Sequence, residues 1–422
     1  MLDVELIRRD PGLVRKALEK RGEDTTVIDQ VLELDQRRRG AISRRDELRA
    51  RRNELSQEIG RRKGNAPDLV EEVRSIAPQI QALEEEAKSA DVALRDLLLT
   101  IPNLPDTNVP LGEGEQDNRI VRTAGEPRQF DFPPLAHWDL APRLGIIDFE
   151  RGAKLSGSRF FVLKGQGARL ERALIAWMLD FHTSRGYTEV AVPSLVRREV
   201  MEGSGNLPKF GDNLYHDDEE DLWLIPTAEV PITSLHRDEI LPPGALPIRY
   251  VAYTQCFRRE KAAAGRDTRG IKRVKQFDKV EMYKIVEPER SAEELESLLA
   301  DAEAVCDALG IPYRVIQLCT ADLGFQAAMT YDVEMWAPGS NEWLEVSSCS
   351  NCTDFQARRA NIRYRPGAGA RPQYVHTLNG SGLGLPRVFI SVLENGQQAD
   401  GSVVVPEVLR PYTGFDIIAP AA

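Results

Sequence analysis

Arg258 and Glu260 stand two residues apart behind Phe257, and Gln276-Phe277-Asp278-Lys279-Val280-Glu281-Met282-Tyr283 follows after a polar stretch. Successive side chains of an extended chain alternate between faces, so Arg258 and Glu260 share one side. Lys275, Phe277, Lys279, Glu281 and Tyr283 alternate in the same way against Val274, Gln276, Asp278, Val280 and Met282. The two segments read as an antiparallel hairpin joined by a long polar loop. One face of that hairpin carries Arg258, Glu260, Phe277 and Glu281 together. A guanidinium, an aromatic ring and two carboxylates on one sheet face suit a nucleotide and an amine. The same alternation also fits an ordinary half-exposed sheet whose charges face water.

Two further stretches flank the hairpin in order. Arg185-Gly186-Tyr187-Thr188-Glu189-Val190 leads to Pro193, and Gly380-Ser381-Gly382-Leu383-Gly384-Leu385-Pro386-Arg387 precedes an apolar run. With Phe257-Arg258-Arg259-Glu260 they resemble motifs 1, 2 and 3 of the class II aminoacyl-tRNA synthetases. Pro226-Thr227-Ala228-Glu229-Val230, Glu345-Val346-Ser347-Ser348-Cys349-Ser350-Asn351, Asp354-Phe355-Gln356-Ala357-Arg358-Arg359 and Thr377-Leu378-Asn379-Gly380-Ser381-Gly382 narrow the likeness. They resemble the bacterial-type seryl-tRNA synthetases within that class, essentially end to end.

That resemblance implies ATP-dependent activation of L-serine to seryl-adenylate, then transfer to the 3′ end of tRNA(Ser), extending to tRNA(Sec), in a homodimer that uses Mg²⁺. It gives Arg258 the serine carboxylate and the α-phosphate, Glu260 the adenine amino group, Phe277 the adenine ring, and Arg387 the other adenine face or the γ-phosphate. Arg259, Arg273 and Val274 join them at ATP, as do Glu345, Val346, Ser347 and Ser348, with Glu345 and Ser348 offering hard oxygen ligands to the metal. Thr227, Ala228 and Glu229 would hold the α-ammonium, and Glu281, Asn379 and Ser381 the side-chain hydroxyl. The small polar loop Lys261–Arg269 is expected to change partners between the two half-reactions.

The elements that carry these residues follow from periodicity. Leu170, Leu174, Trp177, Met178 and Phe181 give a helix with one apolar face ahead of a strand at Tyr187–Val192, and the motif 1 resemblance places both at a dimer interface. Further helices are expected over Ser291–Leu309 and Val388–Glu394. Near the start, Asp10 as N-cap and Pro11 in the first turn open a short helix that ends near Gly22.

Between them lies an arm. Leu69, Val73, Ile76, Ile80, Leu83, Ala87, Ala90, Leu94 and Leu97 alternate spacings of four and three, a seam that requires a partner helix. Leu34, Arg38, Ala41, Arg45, Leu48, Arg52, Leu55 and Ile59 keep the same rhythm upstream, and Gly64-Asn65-Ala66-Pro67 supplies the turn. The product is a two-helix antiparallel coiled coil, about 45 Å long at 1.5 Å per residue. Pro78 falls inside the second run and predicts a bend.

Residues 36–63 hold eleven bases against four acids, whereas 67–99 hold three bases against eight acids. The first helix is thus strongly basic in a chain whose net charge is −11. These charges suit either a nucleic-acid backbone or simple pairing of the two helices with each other. The resemblance favours the tRNA long variable arm, read by shape, with Arg38, Arg45, Arg49, Arg52, Arg61, Arg62 and Lys63 as its contacts.

The fold class expected is α+β: residues 1–110 carry the helical-hairpin arm (about 27–100), and 111–422 form a catalytic domain on an antiparallel sheet with flanking helices. A chain of 422 residues with 42% hydrophobic content can bury a large core. No apolar run approaches a membrane span, and Met1-Leu2-Asp3-Val4-Glu5 lacks the features of a signal peptide. With five cysteines, an odd number, the expected location is cytoplasmic. Cys349 and Cys352 have the spacing of half a zinc site without a second pair, and no Walker A loop or Rossmann fingerprint occurs. Two other readings stay open: a ligase that loads a carrier protein, and an inert coiled-coil interaction protein.

Overall fold

The computed structural model describes residues 1–421 apart from 262–264, 266 and 268, so most of the Lys261–Arg269 loop lies outside the described residues. The chain divides into two compact units, Leu2–Pro102 and, with Met1, Asn103–Ala422. The division falls after Pro102 because the connector belongs to the second unit. Asn103 and Asp106 donate their backbone N–H groups to the Phe325 and Ala328 carbonyls, and Val109 packs with Ile316, Leu318 and Leu323.

In the first unit, helices α1 (Val4–Arg9) and α2 (Pro11–Glu19) precede the arm helices α3 (Val27–Arg61) and α4 (Pro67–Leu98). The Asp10 carboxylate caps α2 by accepting from the Leu13 N–H at 2.9 Å, and Pro11 occupies its first turn. Ile76 and Ile80 of the seam cluster with Leu55 and Leu48 of α3, and Ala87, Ala90 and Leu94 further along it are also buried. Helix α4 runs unbroken through Pro78, although that residue has no N–H to offer the Arg74 carbonyl.

Several of the arm's arginines pair with acids, as the pairing reading expects. Arg38, Arg45 and Arg52 are half-buried because their seam positions face the other helix. Arg38 donates to Asp91 at 2.8 Å, Arg49 to Glu84 at 2.5 Å and Arg45 to the neighbouring Asp46 at 2.8 Å. Arg37 and Arg51 likewise pair with Glu86 and Glu72. Among the described residues Arg61 and Arg62 reach back only to Glu58 and, with Lys63, stay exposed near the turn.

At the root of the arm, Asp35 is 1% exposed and receives three guanidiniums. Arg8 grips it with Nε at 2.9 Å and Nη2 at 3.1 Å, while Arg39 donates at 2.9 Å and Arg38 at 3.4 Å. The pair with Arg8 ties α1 to α3.

The second unit is built on an eight-stranded sheet. Its strands are β1 (Arg119–Ala124), β2 (Thr188–Glu189), β3 (Ile248–Phe257), β4 (Gln276–Val286), β5 (Tyr313–Gln317), β6 (Met329–Ala337), β7 (Glu342–Asn351) and β8 (His376–Gly384), in the order β1-β5-β6-β7-β8-β4-β3-β2. All neighbours are antiparallel except β2, which pairs parallel to β3 at the edge. The strand expected over Tyr187–Val192 is only two residues long, because Pro193 cannot continue a ladder and pairing ends once Val190 donates to the Val251 carbonyl.

Helices Gln166–Ser184, Ser291–Leu309 and Leu385–Gly396 cover one sheet face, and Val280, Met282 and Val286 of β4 enter that core with Leu378 and Leu383 of β8. On the other face Tyr283 and Ile285 join a smaller core with Ala228 and Ile232, leaving the Phe277–Glu281 end of β4 for the site. Motif 3 runs straight from strand to helix, with Pro386 in the first turn. A Cβ at Gly382 would lie 2.6 Å from His182 Nε2, so only glycine lets β8 approach the Gln166–Ser184 helix so closely.

Asp35→Asn is expected to destabilise the first unit by roughly 1–3 kcal/mol, since it removes the charge that three partly exposed guanidiniums share. Burial pushes the Asp35 carboxyl up, but Arg8 and Arg39 outweigh it and hold the group below its ordinary value. Its contribution is therefore complete at neutral pH and fades as pH falls through the folded-state value. Urea unfolding of wild type and variant, followed by hydrogen exchange in α1 and α3, should show a gap at pH 7 that closes in acid.

Candidate active site

Strand parity and two β-bulges decide which side chains meet. On β4, Phe277, Lys279 and Glu281 point away from the helices, and β3 places Cys256, Thr254 and Ala252 opposite them. Between β4 and β8 the register slips at Val280/Glu281, which leaves Gly382 without an opposite number and sets Ser381 across from Glu281. Between β6 and β7 the register slips at Val333/Glu334 and leaves Val346 as the extra residue. Glu345 then lies opposite Glu334 and Ser348 opposite Asp332, so two residues three apart share a face that regular alternation would deny them.

A cavity of about 570 Å³ opens on this face, lined among others by Thr227, Glu229, Arg258, Phe277, Glu345 and Arg387. Glu260, Arg273, Val274, Val346, Ser348, Asn379 and Ser381 also line it. Four expected residues do not. Ala228 turns into the smaller core, and Ser347, on the far side of the bulge, donates to the Ser381 carbonyl at 2.7 Å. Arg259 lies over the Tyr215 ring at 5.3 Å. Glu281 sits beneath the cavity, fully buried.

Arg258 and Glu260 lie beyond the end of β3. Arg258 continues the strand's parity: its N–H donates to the Lys275 carbonyl at 2.8 Å, its Nε to the Pro226 carbonyl at 3.2 Å, and its Cζ stands 5.0 Å from the Phe277 ring centre. Glu260 takes a left-handed conformation, φ 57°, and accepts from Arg273 at 3.4 Å. Arg387 Nη1 donates to the Glu345 carbonyl at 2.7 Å and lies 3.1 Å from its carboxylate.

At the other end, Thr227 Oγ1 donates to Glu281 Oε2 at 3.2 Å, and Lys279 Nζ bonds both Thr227, at 3.1 Å, and Glu281. Glu281 Oε1 is buried without a hydrogen-bond partner among the described residues. Glu229 accepts from Gln356 at 2.6 Å, Asn379 at 3.3 Å and Gln326 at 3.4 Å. Burial and Glu281 push its carboxyl up to about 7 against the pull of Lys279 and the two glutamines.

Glu345 behaves oppositely. Burial raises it, but Arg387, Arg258 and Lys279 outweigh that and leave the carboxyl below its ordinary range. Asp332, across the bulge, is pushed well above its range by burial and by Glu345, and its Oδ1 is a buried oxygen without a partner among the described residues. Two carboxylates and the Ser348 hydroxyl on one face, one oxygen of them orphaned, fit a hard divalent cation that takes its other ligands from phosphates and water.

Lys279, Asp332, Lys272 and Gln326 were missed by the sequence reading. Lys279 was within reach, since it shares the parity of Phe277 and Glu281. Asp332 was not, because its place depends on the bulge.

Residues 1–105 match the family model of the seryl-tRNA synthetase N-terminal domain, and residues 212–396 that of the tRNA synthetase class II core domain (G, H, P, S and T). A serine–tRNA ligase of Thermomicrobium roseum is 60% identical over 98% of this chain and 94% of its own length. That of Roseiflexus sp. is 58% identical over 98% of each. Among solved structures, seryl-tRNA synthetase from Pyrococcus horikoshii complexed with ATP superposes with TM-score 0.95 at 41% identity, covering 100% of both chains. Cytoplasmic serine–tRNA ligase from Naegleria fowleri in complex with AMP gives 0.90 at 32%, covering 100% of this chain and 99% of that one. With likeness of this extent in both units, the chain belongs to the seryl-tRNA synthetase family of class II aminoacyl-tRNA synthetases.

Proposed function

We propose that the cavity joins L-serine to ATP as seryl-adenylate and passes the seryl group to the 3′-terminal ribose of tRNA(Ser). The observation that carries the reading is the meeting of Arg258, Phe277 and Arg387 with Thr227, Glu229, Asn379 and Ser381 in one cavity, above the buried Glu281. In the first step a serine carboxylate oxygen attacks the α-phosphorus, the bond to the bridging oxygen breaks and pyrophosphate leaves. Charge builds on the equatorial phosphate oxygens, and fixed cations stabilise it.

Arg258 is suited to span carboxylate and α-phosphate, because the Pro226 carbonyl already holds its fork over the site. Phe277 offers its ring to adenine, Arg387 a second plane, and Glu260 an acceptor for the amino group. Glu345, Ser348 and Asp332 would hold Mg²⁺, which neutralises phosphate charge when bound. Glu229 and Thr227 take the α-ammonium. The unpartnered Glu281 Oε1 supports a hydroxyl donor beside it: alanine would leave that oxygen bare, and ~10⁴-fold rejection is attainable in such a site.

The same reading gives the arm to tRNA. Its exposed Arg44, Arg61, Arg62 and Lys63 supply the contacts, in place of Arg38 and Arg49, which are engaged by the acidic helix. A rod that reads shape also accepts tRNA(Sec) if that tRNA presents a similar long arm. Homodimerisation through the Gln166–Ser184 helix and the edge strand β2 completes the reading. Five free, buried cysteines support a cytoplasmic location, and among the described residues no helix is long and apolar enough to cross a membrane.

Arg258→Lys keeps the charge and loses the fork. Serine-dependent ATP–pyrophosphate exchange is expected to fall by ~10²–10³-fold; exchange within about threefold of wild type would overturn the role given to Arg258. For the arm, the combined Arg44→Glu, Arg61→Glu, Arg62→Glu and Lys63→Glu variant is expected to raise the KM for tRNA by at least ~10-fold and flatten its salt dependence. Pyrophosphate exchange by that variant should be unchanged, and equal losses in both assays would point to misfolding instead.

A further inference from the structure

Gln356 does not line the cavity, yet every polar atom of its amide is used. It sits on the short helix Phe355–Ala360 and is fully buried. Its Oε1 accepts from the Thr377 hydroxyl at 2.7 Å and the Tyr283 hydroxyl at 3.0 Å. Its Nε2 donates to the Ser204 carbonyl at 3.0 Å and to Glu229 Oε1 at 2.6 Å. A carbonyl cannot donate, so Ser204 forces the NH₂ group toward Glu229 and the oxygen toward the two hydroxyls. Tyr283, Thr377, Ser204 and Gln356 are each 0% exposed.

We propose that Gln356 is a positioning residue for amino-acid binding, gripping Glu229 from behind the cavity wall so that its carboxylate meets the incoming α-ammonium in one fixed orientation. This rests on the reading of Glu229 as the ammonium's partner. A short amide-to-carboxylate bond also favours the ionised form, and Glu229 needs that help. Glu281 faces it from β4 and opposes its charge, while Lys279 on the same strand is its cationic neighbour. Tyr283 and Cys352 also face it, but burial holds both well above their ordinary values, so they stay neutral. Asn379, Gln326 and Gln356 complete the surround with neutral donors. Of these, Gln356 makes the shortest contact and is itself locked from three sides.

The test uses the full-length protein in serine-dependent ATP–pyrophosphate exchange between pH 6 and 8, varying serine and ATP separately. In wild type, kcat/KM for serine is expected to rise with pH through about 7, as Glu229 ionises. Gln356→Met keeps the volume and frees Glu229. It is expected to raise the KM for serine by ~10-fold or more while leaving that for ATP unchanged, the loss of one charge-assisted hydrogen bond.

Gln356→Glu keeps the shape and can bridge to Glu229 through one shared proton. Its kcat/KM for serine should lose the rise through pH 7 and fall toward alkaline pH, where that proton leaves and two carboxylates repel. A Gln356→Glu profile shaped like wild type, a Gln356→Met serine KM within about twofold of wild type, or equal rises in the KM for serine and ATP would each overturn the proposal. If the Met variant does not fold, the Glu profile alone decides. Glu229→Gln separates the two layers: an unchanged serine KM there removes Glu229 itself from ammonium binding, whatever Gln356 does.

Discussion

The site depends on a constraint of sheet geometry. A strand has two faces, a regular strand assigns them by odd and even numbers, and a one-residue slip exchanges the sets. The chain needs Phe277, Lys279 and Glu281 on the same surface as Ser381, Asn379, Ser348 and Glu345, and these residues do not share a simple parity across three strands. The bulges at Gly382 and Val346 reconcile them. Each lies at the boundary between strand and ligand surface, and each sends its neighbour, Leu383 or Ser347, to the opposite side. The glycine at 382 also lets the strand come within bonding distance of His182, whose Nε2 lies 2.9 Å from the Gly382 carbonyl oxygen. The slip is thereby anchored to the helix layer.

Bringing so many charges under one roof has an electrostatic consequence. Cations and carboxylates pair with one another around the cavity: Lys279 with Glu281, Arg387 with Glu345, Arg273 with Glu260. Uncompensated buried charge is expensive, so these pairs hold the cavity's shape. They also define what can replace them. A bound phosphate would compete for the arginines, and a bound ammonium would compete with Lys279 for the carboxylates at the other end. A zwitterion joined to a polyanion satisfies both ends at once, whereas either alone leaves part of the surface with its original partners.

The legible parts of the sequence were those fixed by local periodicity. The arm's seam, the hairpin of β3 and β4, the cap at Asp10 and the helices over Ser291–Leu309 and after motif 3 need only spacings of two, three or four. What escaped depends on partners distant in sequence. Asp332 joins the site because its strand meets the bulged β7, and Gln356 joins it because the Phe355–Ala360 helix lies behind Glu229. Ala228 and Ser347 were drawn in by their neighbours' motifs, though backbone geometry points their side chains elsewhere. Glu260 was placed with Arg258 by alternation. It reaches the cavity after the strand has ended, through a left-handed turn that alternation does not describe.

The arm illustrates how charge counts mislead without register. Its basic helix and acidic helix admitted two readings, mutual pairing or a polyanion, and the pairing is seen directly. Arg37, Arg38, Arg49 and Arg51 reach across to Glu86, Asp91, Glu84 and Glu72, which zips the helices along their flanks. Toward the turn the acidic helix supplies no such partners to Arg61, Arg62 and Lys63 among the described residues, and Glu58 serves the two arginines alone. The turn end of the arm therefore presents exposed basic side chains that the acidic helix leaves unengaged among the described residues.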